Sequence, residues 1–128
     1  MNVDVVKQFY SSIASGDIPT MMSLLSPEIS WSIAGPASVP YFGSYRGLKG
    51  VEEFFARLDE AEEINEFAPT EFFESGDTVF VRGAERCTSR KTGRSFSSAW
   101  IHIFHLTGGR IDSFEEFIDT AAVAAAYA

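Results

Sequence analysis

Residues 78–118 read TVFVRGAERCTSRKTGRSFSSAWIHIFHLTGGRIDSFEEFI and carry the clearest structural pattern of the sequence. Apolar and polar residues alternate along it in three segments, a spacing that is typical of strands with one buried face. The turn signals Thr92-Gly93 and Gly108-Gly109 separate the segments and predict hairpins between them. We therefore predict strands over Thr78–Ser89, Arg94–Leu106 and Arg110–Ile118.

Another strand and a helix flank this stretch. Ile64–Phe73 alternates in the same way and ends at the turn signal Ser75-Gly76-Asp77. The four strands together predict an antiparallel meander. After the last strand, the alanine-rich segment Thr120–Ala126 predicts a helical tail.

The residues before the meander carry helix signals with one strand among them. Apolar residues recur at helical spacing over Val3–Ile13 and Gly47–Leu58. Gly16 is predicted to close the first helix as a left-handed cap, and Asp17 to cap a short second helix. Ile29–Ile33 alternates apolar residues with serine and predicts a strand.

The segment Gly35–Gly50 is predicted to be a loop with three aromatic residues, Tyr41, Phe42 and Tyr45. A loop of this length is more often a pocket lid than a connector. Three helices with one strand, followed by the meander, define an α+β fold. Helices cover one face of a curved antiparallel sheet and enclose a pocket, and a single domain spans residues 1–128.

Composition excludes several classes of function. The chain has 18 acidic and 10 basic residues, a net charge of −8 and a pI near 4.6, so binding to nucleic acid or to anionic membranes is disfavoured. No apolar run approaches the roughly 20 residues of a membrane span, and the amino terminus lacks a basic start. We expect a cytoplasmic protein.

Cofactor and metal signals are missing from the sequence. Cys87 is the single cysteine, so no intrachain disulfide or cysteine-based zinc cluster can form. His102 and His105 have opposite parity on one strand and cannot converge on one ion. No phosphate-binding or dinucleotide-binding motif occurs. We expect neither a metal nor a cofactor.

Strand parity places a small polar group on the inner face of the sheet. On Thr78–Ser89 the odd positions form the buried face, and Glu85 is the charged exception. A two-residue loop at Thr92-Gly93 pairs Glu85 with Trp100 and sets His102 on the same face.

The position of Glu116 depends on the next turn. A three-residue loop that includes Thr107 pairs Glu116 with Trp100 on the inner face. A two-residue loop at Gly108-Gly109 moves Glu116 to the outer face, beside Ile101. Residue spacing leaves both alternatives open.

Glu85, His102 and Glu116 are the candidate acid/base residues. Burial against aromatic residues raises the pKa of a carboxyl group toward the working pH, which suits proton transfer. The competing interpretation is structural. Glu85 can pair with a neighbouring arginine or lie at a wet pocket mouth, and His102 can be a core histidine that bonds to the backbone.

A resemblance covers nearly the whole chain. It rests on the segments Phe9-Tyr10 to Gly16-Asp17, Ile29-Ser30-Trp31, Gly43–Gly47 with Val51 and Phe54-Phe55, Thr92-Gly93-Arg94, Trp100-Ile101-His102 and Gly109–Thr120. In this order they resemble the SnoaL-like members of the nuclear transport factor 2-like (cystatin-like cone) superfamily. The resemblance implies a conical α+β barrel with a hydrophobic pocket, commonly a homodimer through the convex sheet face.

The chain departs from two enzymes of this superfamily. Ketosteroid isomerase-like members carry an aspartate base near the first strand, where this chain has no acid between Glu28 and Glu52. Limonene-1,2-epoxide hydrolase-like members carry an Arg-x-Asp pair that falls here on Glu85 and Cys87. Only Glu116 matches, as a carboxylate where those members have a last-strand aspartate. This match favours the longer loop and an inward Glu116.

Two functions follow as hypotheses. The first is a cofactor-free enzyme on a small hydrophobic molecule, of the cyclase, isomerase or hydrolase type, in which Glu116 or His102 moves a proton and Glu85 tunes it. The second is a noncatalytic ligand-binding or dimerisation module. The candidate substrate-binding residues are Trp31, Tyr41, Tyr45, Phe54, Trp100 and Phe114.

A homodimer is also expected from the pattern of the central strand. Ile101 and Ile103 form an apolar stripe on the face opposite Trp100 and His102. Such a stripe rarely stays exposed to water.

Overall fold

The computed structural model describes all 128 residues, which form four helices and six strands. The helices are α1 (Asn2–Ala14), α2 (Ile18–Ser23), α3 (Gly47–Ala61) and α4 (Thr120–Tyr127). The strands are β1 (Leu25–Ile33), β2 (Gly43–Arg46), β3 (Glu62–Ser75), β4 (Thr78–Ser89), β5 (Ser95–Thr107) and β6 (Arg110–Ile118). None of the helices is long and apolar enough to cross a bilayer.

One curved sheet contains all six strands in the order β2-β1-β6-β5-β4-β3. Strands β3 to β6 form the predicted antiparallel meander. Strand β1 runs parallel to β6, with Trp31 beside Phe114, so the sheet is mixed and not wholly antiparallel. Helices α1 and α3 pack on the sheet, and α4 contacts β4 and β5. The α+β cone is as predicted.

The turn between α1 and α2 follows its predicted chemistry. Gly16 adopts a φ of 71°, and its N–H donates to Ile13 O at 3.1 Å while the Asp17 N–H donates to Ser12 O at 2.8 Å. This left-handed arrangement satisfies two carbonyl groups at the helix end. The Asp17 side chain then accepts from the Thr20 N–H at 3.2 Å and caps α2.

The segment Gly35–Gly50 differs from the predicted open loop. Residues Gly43–Arg46 form β2, which pairs with β1, and α3 begins at Gly47. Tyr41 and Phe42 are buried, and the Phe42 ring covers Gly35 so closely that a Cβ there would lie 2.1 Å from it. The buried side chains Val39, Tyr41, Phe42 and Tyr45 therefore anchor this segment in the core, and Tyr41 also borders the cavity.

The predicted register between β4 and β5 is wrong by two residues. Residues 90–93 form a four-residue loop, because the Ser89 N–H donates to Arg94 O and the Gly93 N–H donates to Ser89 O, both at 2.8 Å. Glu85 therefore pairs with Ser98, and Gly83 pairs with Trp100. A shift of two preserves parity, so the inner and outer faces are as predicted.

The turn between β5 and β6 fits neither predicted loop completely. Thr107 pairs with Arg110 across a two-residue Gly108-Gly109 turn, in which both glycines have positive φ. The register then shifts between His105 and Leu106, because β6 contains one extra residue at a β-bulge. This bulge turns Glu116 to the inner face, where it pairs with His102. The predicted row of Glu85, Trp100 and Glu116 does not form.

Gly83 makes room for the indole ring of Trp100. A Cβ at Gly83 would lie 2.4 Å from the Trp100 ring and 2.6 Å from Ala68 O. The Trp100 ring stacks on His102 with centroids 3.8 Å apart and planes 12° apart. The absence of a side chain at Gly83 therefore helps to fix the orientation of His102.

We expect Gly83→Ala to destabilise the protein by about 1 to 3 kcal/mol, because the new methyl group clashes with a ring and with a backbone oxygen. Alanine normally suits a strand better than glycine, so a loss of stability in this variant would come from the clash. Urea unfolding monitored by tryptophan fluorescence measures it. Ala84→Ser adds one atom on the opposite face of β4 and serves as the control. Equal stability of both variants would contradict the clash.

The outer face of the sheet carries a continuous apolar band. Phe73 pairs with Phe80, Phe80 with Ile103, and Ile101 with Phe117. Four of these side chains are exposed, at 53% for Phe73, 38% for Phe80, 38% for Ile101 and 50% for Phe117. An exposed band of this kind is typical of a protein interface.

We expect the protein to be a homodimer through this band. Light scattering coupled to size exclusion should give about twice 14.1 kDa. Ile101→Lys places a charge in the band and should yield the monomer mass. Glu52→Lys, on the exposed face of α3, is the matched control and should remain dimeric. A wild-type monomer at micromolar concentration would rule the interface out.

Candidate functional site

A cavity of about 740 Å³ lies between α1, α3 and the inner face of the sheet. Eight of its twenty lining residues are aromatic: Phe9, Tyr10, Trp31, Tyr41, Phe54, Phe55, Phe67 and Phe114. Four glutamates also line it, Glu62, Glu66, Glu85 and Glu116, and no lysine or arginine does. The cavity therefore favours neutral or cationic molecules over anions.

His102 and Glu116 form a hydrogen-bonded pair on the cavity wall. They pair across β5 and β6, and His102 Nε2 lies 2.8 Å from Glu116 Oε2. Their side chains are 6% and 11% exposed, respectively. Glu116 Oε1 has no hydrogen-bond partner in the protein, and Glu116 borders the cavity. This oxygen is therefore available to a ligand.

Tyr10 completes a chain of three side chains. Its hydroxyl group lies 2.7 Å from His102 Nδ1. Burial and the negative charge of Glu116 raise the pKa of Tyr10, so the phenol keeps its proton. Its hydroxyl group has no other acceptor in the protein and therefore donates a hydrogen bond to Nδ1, which assigns the ring N–H to Nε2, facing Glu116. In this tautomer His102 orients the Glu116 side chain.

Sequence reasoning did not identify Tyr10 as a site residue, because it belongs to the apolar stripe of α1. The available signal was its hydroxyl group, since a buried tyrosine usually finds a polar partner. The partner could not be predicted from the sequence, because Tyr10 in α1 and His102 in β5 lie 92 positions apart.

The predicted substrate-binding residues divide into two groups. Trp31, Tyr41, Phe54 and Phe114 border the cavity. Trp100 does not, because its ring packs between His102 and Gly83. Tyr45 also lies outside the lining, where its hydroxyl group donates to Tyr41 O at 2.8 Å. Trp100 and Tyr45 therefore pack behind the residues that line the cavity.

Glu85 belongs to a second polar cluster, together with Glu62, Cys87 and Tyr127. The Tyr127 hydroxyl group donates to Glu62 Oε1 at 2.7 Å, and the Cys87 thiol donates to Glu85 Oε2 at 3.0 Å. Glu62 is 2% exposed, and its Oε2 is buried without a partner. We call these four residues the acid cluster. The predicted alternative for Glu85, an ion pair with arginine, is absent.

Burial raises the pKa values within the acid cluster. Burial, reinforced by the charge of Glu116, raises the pKa of Glu85 to about 8. Burial also raises the pKa of Glu62 and the pKa of Cys87. Glu85 therefore keeps its proton at neutral pH.

Glu62, Glu85 and Cys87 could also be considered as metal ligands, since one donor atom from each lies within 4.8 Å of the others. An ion would have to displace protons from three groups whose pKa values are all raised.

Sequence reasoning missed Glu62 because the predicted strand began at Ile64, whereas β3 begins directly after α3.

The conical sheet, the covering helices and the enclosed cavity define a nuclear transport factor 2-like fold. The family model of the SnoaL-like domain matches residues 6–114, and the chain belongs to this family. None of the curated proteins compared with the chain matches it significantly.

Solved structures agree with this assignment. A nuclear transport factor 2-like protein from Burkholderia xenovorans has a TM-score of 0.91 at 29% identity, with 99% of this chain and 95% of that chain covered. One from Burkholderia thailandensis has a TM-score of 0.89 at 31% identity, with 99% and 97% covered. TerC, crystallised with polyporic acid, has a TM-score of 0.88 at 25% identity, with 98% and 97% covered.

The acid cluster predicts a pH dependence of stability. The folded protein holds a proton on Glu85 up to about pH 8, whereas the unfolded chain releases it near the ordinary value of 4.5. The free energy of unfolding should therefore fall as the pH rises across this window, by at most about 1.4 kcal/mol per pH unit from this residue. Glu85→Gln should flatten the fall, because glutamine mimics the protonated acid.

Chemical unfolding at about pH 5, 7 and 9 measures this dependence. Glu52→Gln removes an exposed carboxyl group and should keep the wild-type slope. Identical slopes for wild type and Glu85→Gln would contradict the raised pKa of Glu85.

Proposed function

We propose that this protein binds a small hydrophobic molecule in its cavity and transfers a proton on it without a cofactor. Glu116 is the general base, and His102 and Tyr10 are positioning residues. The observation that carries the proposal is the chain from Tyr10 through His102 to Glu116, with contacts of 2.7 Å and 2.8 Å, on the wall of an aromatic cavity.

The chain of hydrogen bonds suits a carboxylate base. The Nε2–H of His102 fixes one oxygen of Glu116, and the other oxygen borders the cavity. A base held in one orientation meets its substrate without first rearranging, which lowers the barrier to proton transfer. Tyr10 keeps the histidine in the tautomer that donates to Glu116.

The substrate must offer a proton that a carboxylate can remove. A C–H bond next to a carbonyl group meets this requirement. Its electron pair is left on the carbonyl compound as an enolate, and the proton passes to Glu116. Return of the proton to another carbon is an isomerisation, and attack of the enolate on a second carbonyl group is a cyclisation. Neither needs a redox partner.

The neighbours and the lining support the class of ligand. TerC, which is 25% identical, was crystallised with the small organic molecule polyporic acid. Twelve of the twenty residues that line the cavity of this chain are hydrophobic, so binding buries apolar surface of the ligand. We expect no metal, nucleic acid or membrane to take part, and we expect the protein to act in the cytoplasm.

Glu116→Gln tests the base. The substitution keeps the volume of the side chain and removes the group that accepts the proton. Exchange of the α-protons of α-tetralone into heavy water, followed by NMR, should be catalysed by the wild-type protein. We expect the variant to lose about 10² to 10⁴ in rate with little change in affinity.

Glu115→Gln is the matched control, because Glu115 is the adjacent residue and its side chain is exposed. It should exchange protons at the wild-type rate. If Glu116→Gln retains the wild-type rate, Glu116 is not the base. Binding without catalysed exchange by the wild-type protein would favour the noncatalytic ligand-binding module.

A further inference from the structure

We propose that the ligand carries an apolar substituent that reaches the protein surface between α1 and β3, where Ile64 and Phe67 contact it. This inference rests on the proposed function for its ligand, and it adds the size and orientation of that ligand. It starts from the open end of the cavity, which the proton-transfer chain of Tyr10, His102 and Glu116 does not use.

Residues that line the cavity and are also exposed mark its mouth. Ile64 is 48% exposed and Phe67 is 40% exposed, and both line the cavity from β3. Ser11 and Ala14 line it from α1, which packs beside β3, and are exposed as well. The Glu116 side chain, by contrast, is only 11% exposed. The cavity therefore opens between α1 and β3, and the proposed base lies on its buried wall.

Ile64 and Phe67 are large apolar side chains that the protein leaves uncovered beside this mouth. The other exposed side chains of this kind lie elsewhere: Met1 at the amino terminus, Ile18 on α2, and Phe73, Phe80, Ile101 and Phe117 in the band on the outer face. Exposed apolar side chains that are grouped at one place are typical of a binding surface. Because these two also line the cavity, the molecule bound inside the cavity can cover them without a further partner.

The mouth is already shaped to receive a substituent. The Phe67 ring stacks on Trp100, with centroids 5.1 Å apart and planes 19° apart, and its centroid lies 6.1 Å from that of Tyr10. A ring held in this way loses little conformational freedom when a ligand packs against it. Across the mouth, Ser11 and Ala14 are small and leave space between α1 and β3.

The positions of the charged groups determine which end of the ligand points outward. Glu116 is to take the proton at the buried wall, so the carbonyl end must lie inside. No lysine or arginine lines the cavity, and the Glu66 carboxylate at the mouth is paired with Arg86, so nothing there attracts an anionic substituent. The predicted ligand is a ketone with an extended apolar group at the end remote from its carbonyl group.

The test is the affinity for acetophenone and for its 4′-butyl, 4′-hexyl and 4′-octyl derivatives, whose chains extend from the ring opposite the carbonyl group. Quenching of tryptophan fluorescence follows binding, because Trp31 lines the cavity. The affinity of the wild-type protein should rise about twofold for each added methylene group. This is less than full burial would give, because one side of the chain at the mouth stays in contact with water.

Variants at the mouth separate this contact from general apolar binding. Ile64→Ser removes apolar surface there and should lower the ratio of the affinities for 4′-octylacetophenone and acetophenone about three- to tenfold. Ile18→Ser is the matched control, because Ile18 is 51% exposed, lies on α2 and does not line the cavity. It should keep the wild-type ratio. Phe67→Ser should lower the ratio as Ile64→Ser does, and either variant decides if the other does not fold.

Three results would overturn the inference. One is a wild-type affinity that does not rise with chain length, including no detectable binding of any member of the series. Another is the same ratio in Ile64→Ser as in Ile18→Ser. The third is an unchanged ratio in Ile64→Ser together with a smaller mass by light scattering, which would assign the mouth to contact with a second copy of the chain.

The same ligands keep this inference apart from the proposed function. Glu116→Gln should lose exchange of the acetophenone methyl protons into heavy water and retain the dependence of affinity on chain length. Loss of exchange in Glu116→Gln, with no chain-length dependence in the wild-type protein, would reject the contact at the mouth and keep the base. A chain-length dependence that Ile64→Ser weakens, with unchanged exchange in Glu116→Gln, would reject the base and keep the contact.

Discussion

The bulge in β6 decides which face of the sheet carries Glu116. Asp112 lies at this bulge, and its carboxylate lies 2.7 Å from His105 Nδ1 and also accepts from the Thr107 hydroxyl group. A regular ladder from the Gly108-Gly109 turn would place Glu116 on the outer face, because side chains alternate along a strand. One extra residue reverses that alternation. The pairing of His102 with Glu116, and with it the whole proton-transfer chain, depends on this local irregularity.

The sequence predicted the sheet better than it predicted the register. The alternation of apolar and polar residues correctly identified the meander and its inner face. The four-residue loop before Arg94 shifted the β4–β5 register by two residues, so every side chain stayed on the predicted face of the sheet. An inward Glu116 was correct for a different reason from the predicted loop. Bulges depend on hydrogen bonds such as those of Asp112, which no spacing rule contains. A register error of an odd number of residues would have placed every side chain of the strand on the wrong face of the sheet.

Contacts between distant elements explain what sequence reasoning missed. Tyr10 belongs to a helix whose apolar stripe gave no sign of a polar role, and Tyr127 belongs to an alanine-rich tail. Both place a phenol against a buried polar group, at His102 and at Glu62 respectively. Trp100 shows the opposite case: it was predicted as a substrate-binding residue, whereas the space at Gly83 accommodates its ring, which does not line the cavity. Composition and parity cannot distinguish these cases.

Three glutamates on the cavity wall, Glu62, Glu85 and Glu116, influence one another through their charge. Burial, reinforced by the charge of Glu116, raises the pKa of Glu85 and the pKa of Glu62. A second negative charge would have no cation to neutralise it, because no lysine or arginine lines the cavity. The charge of Glu116 therefore disfavours ionisation of the other two glutamates. In the proposed reaction Glu116 accepts the proton of the substrate, and the raised pKa values of Glu85 and Glu62 limit the negative charge beside it.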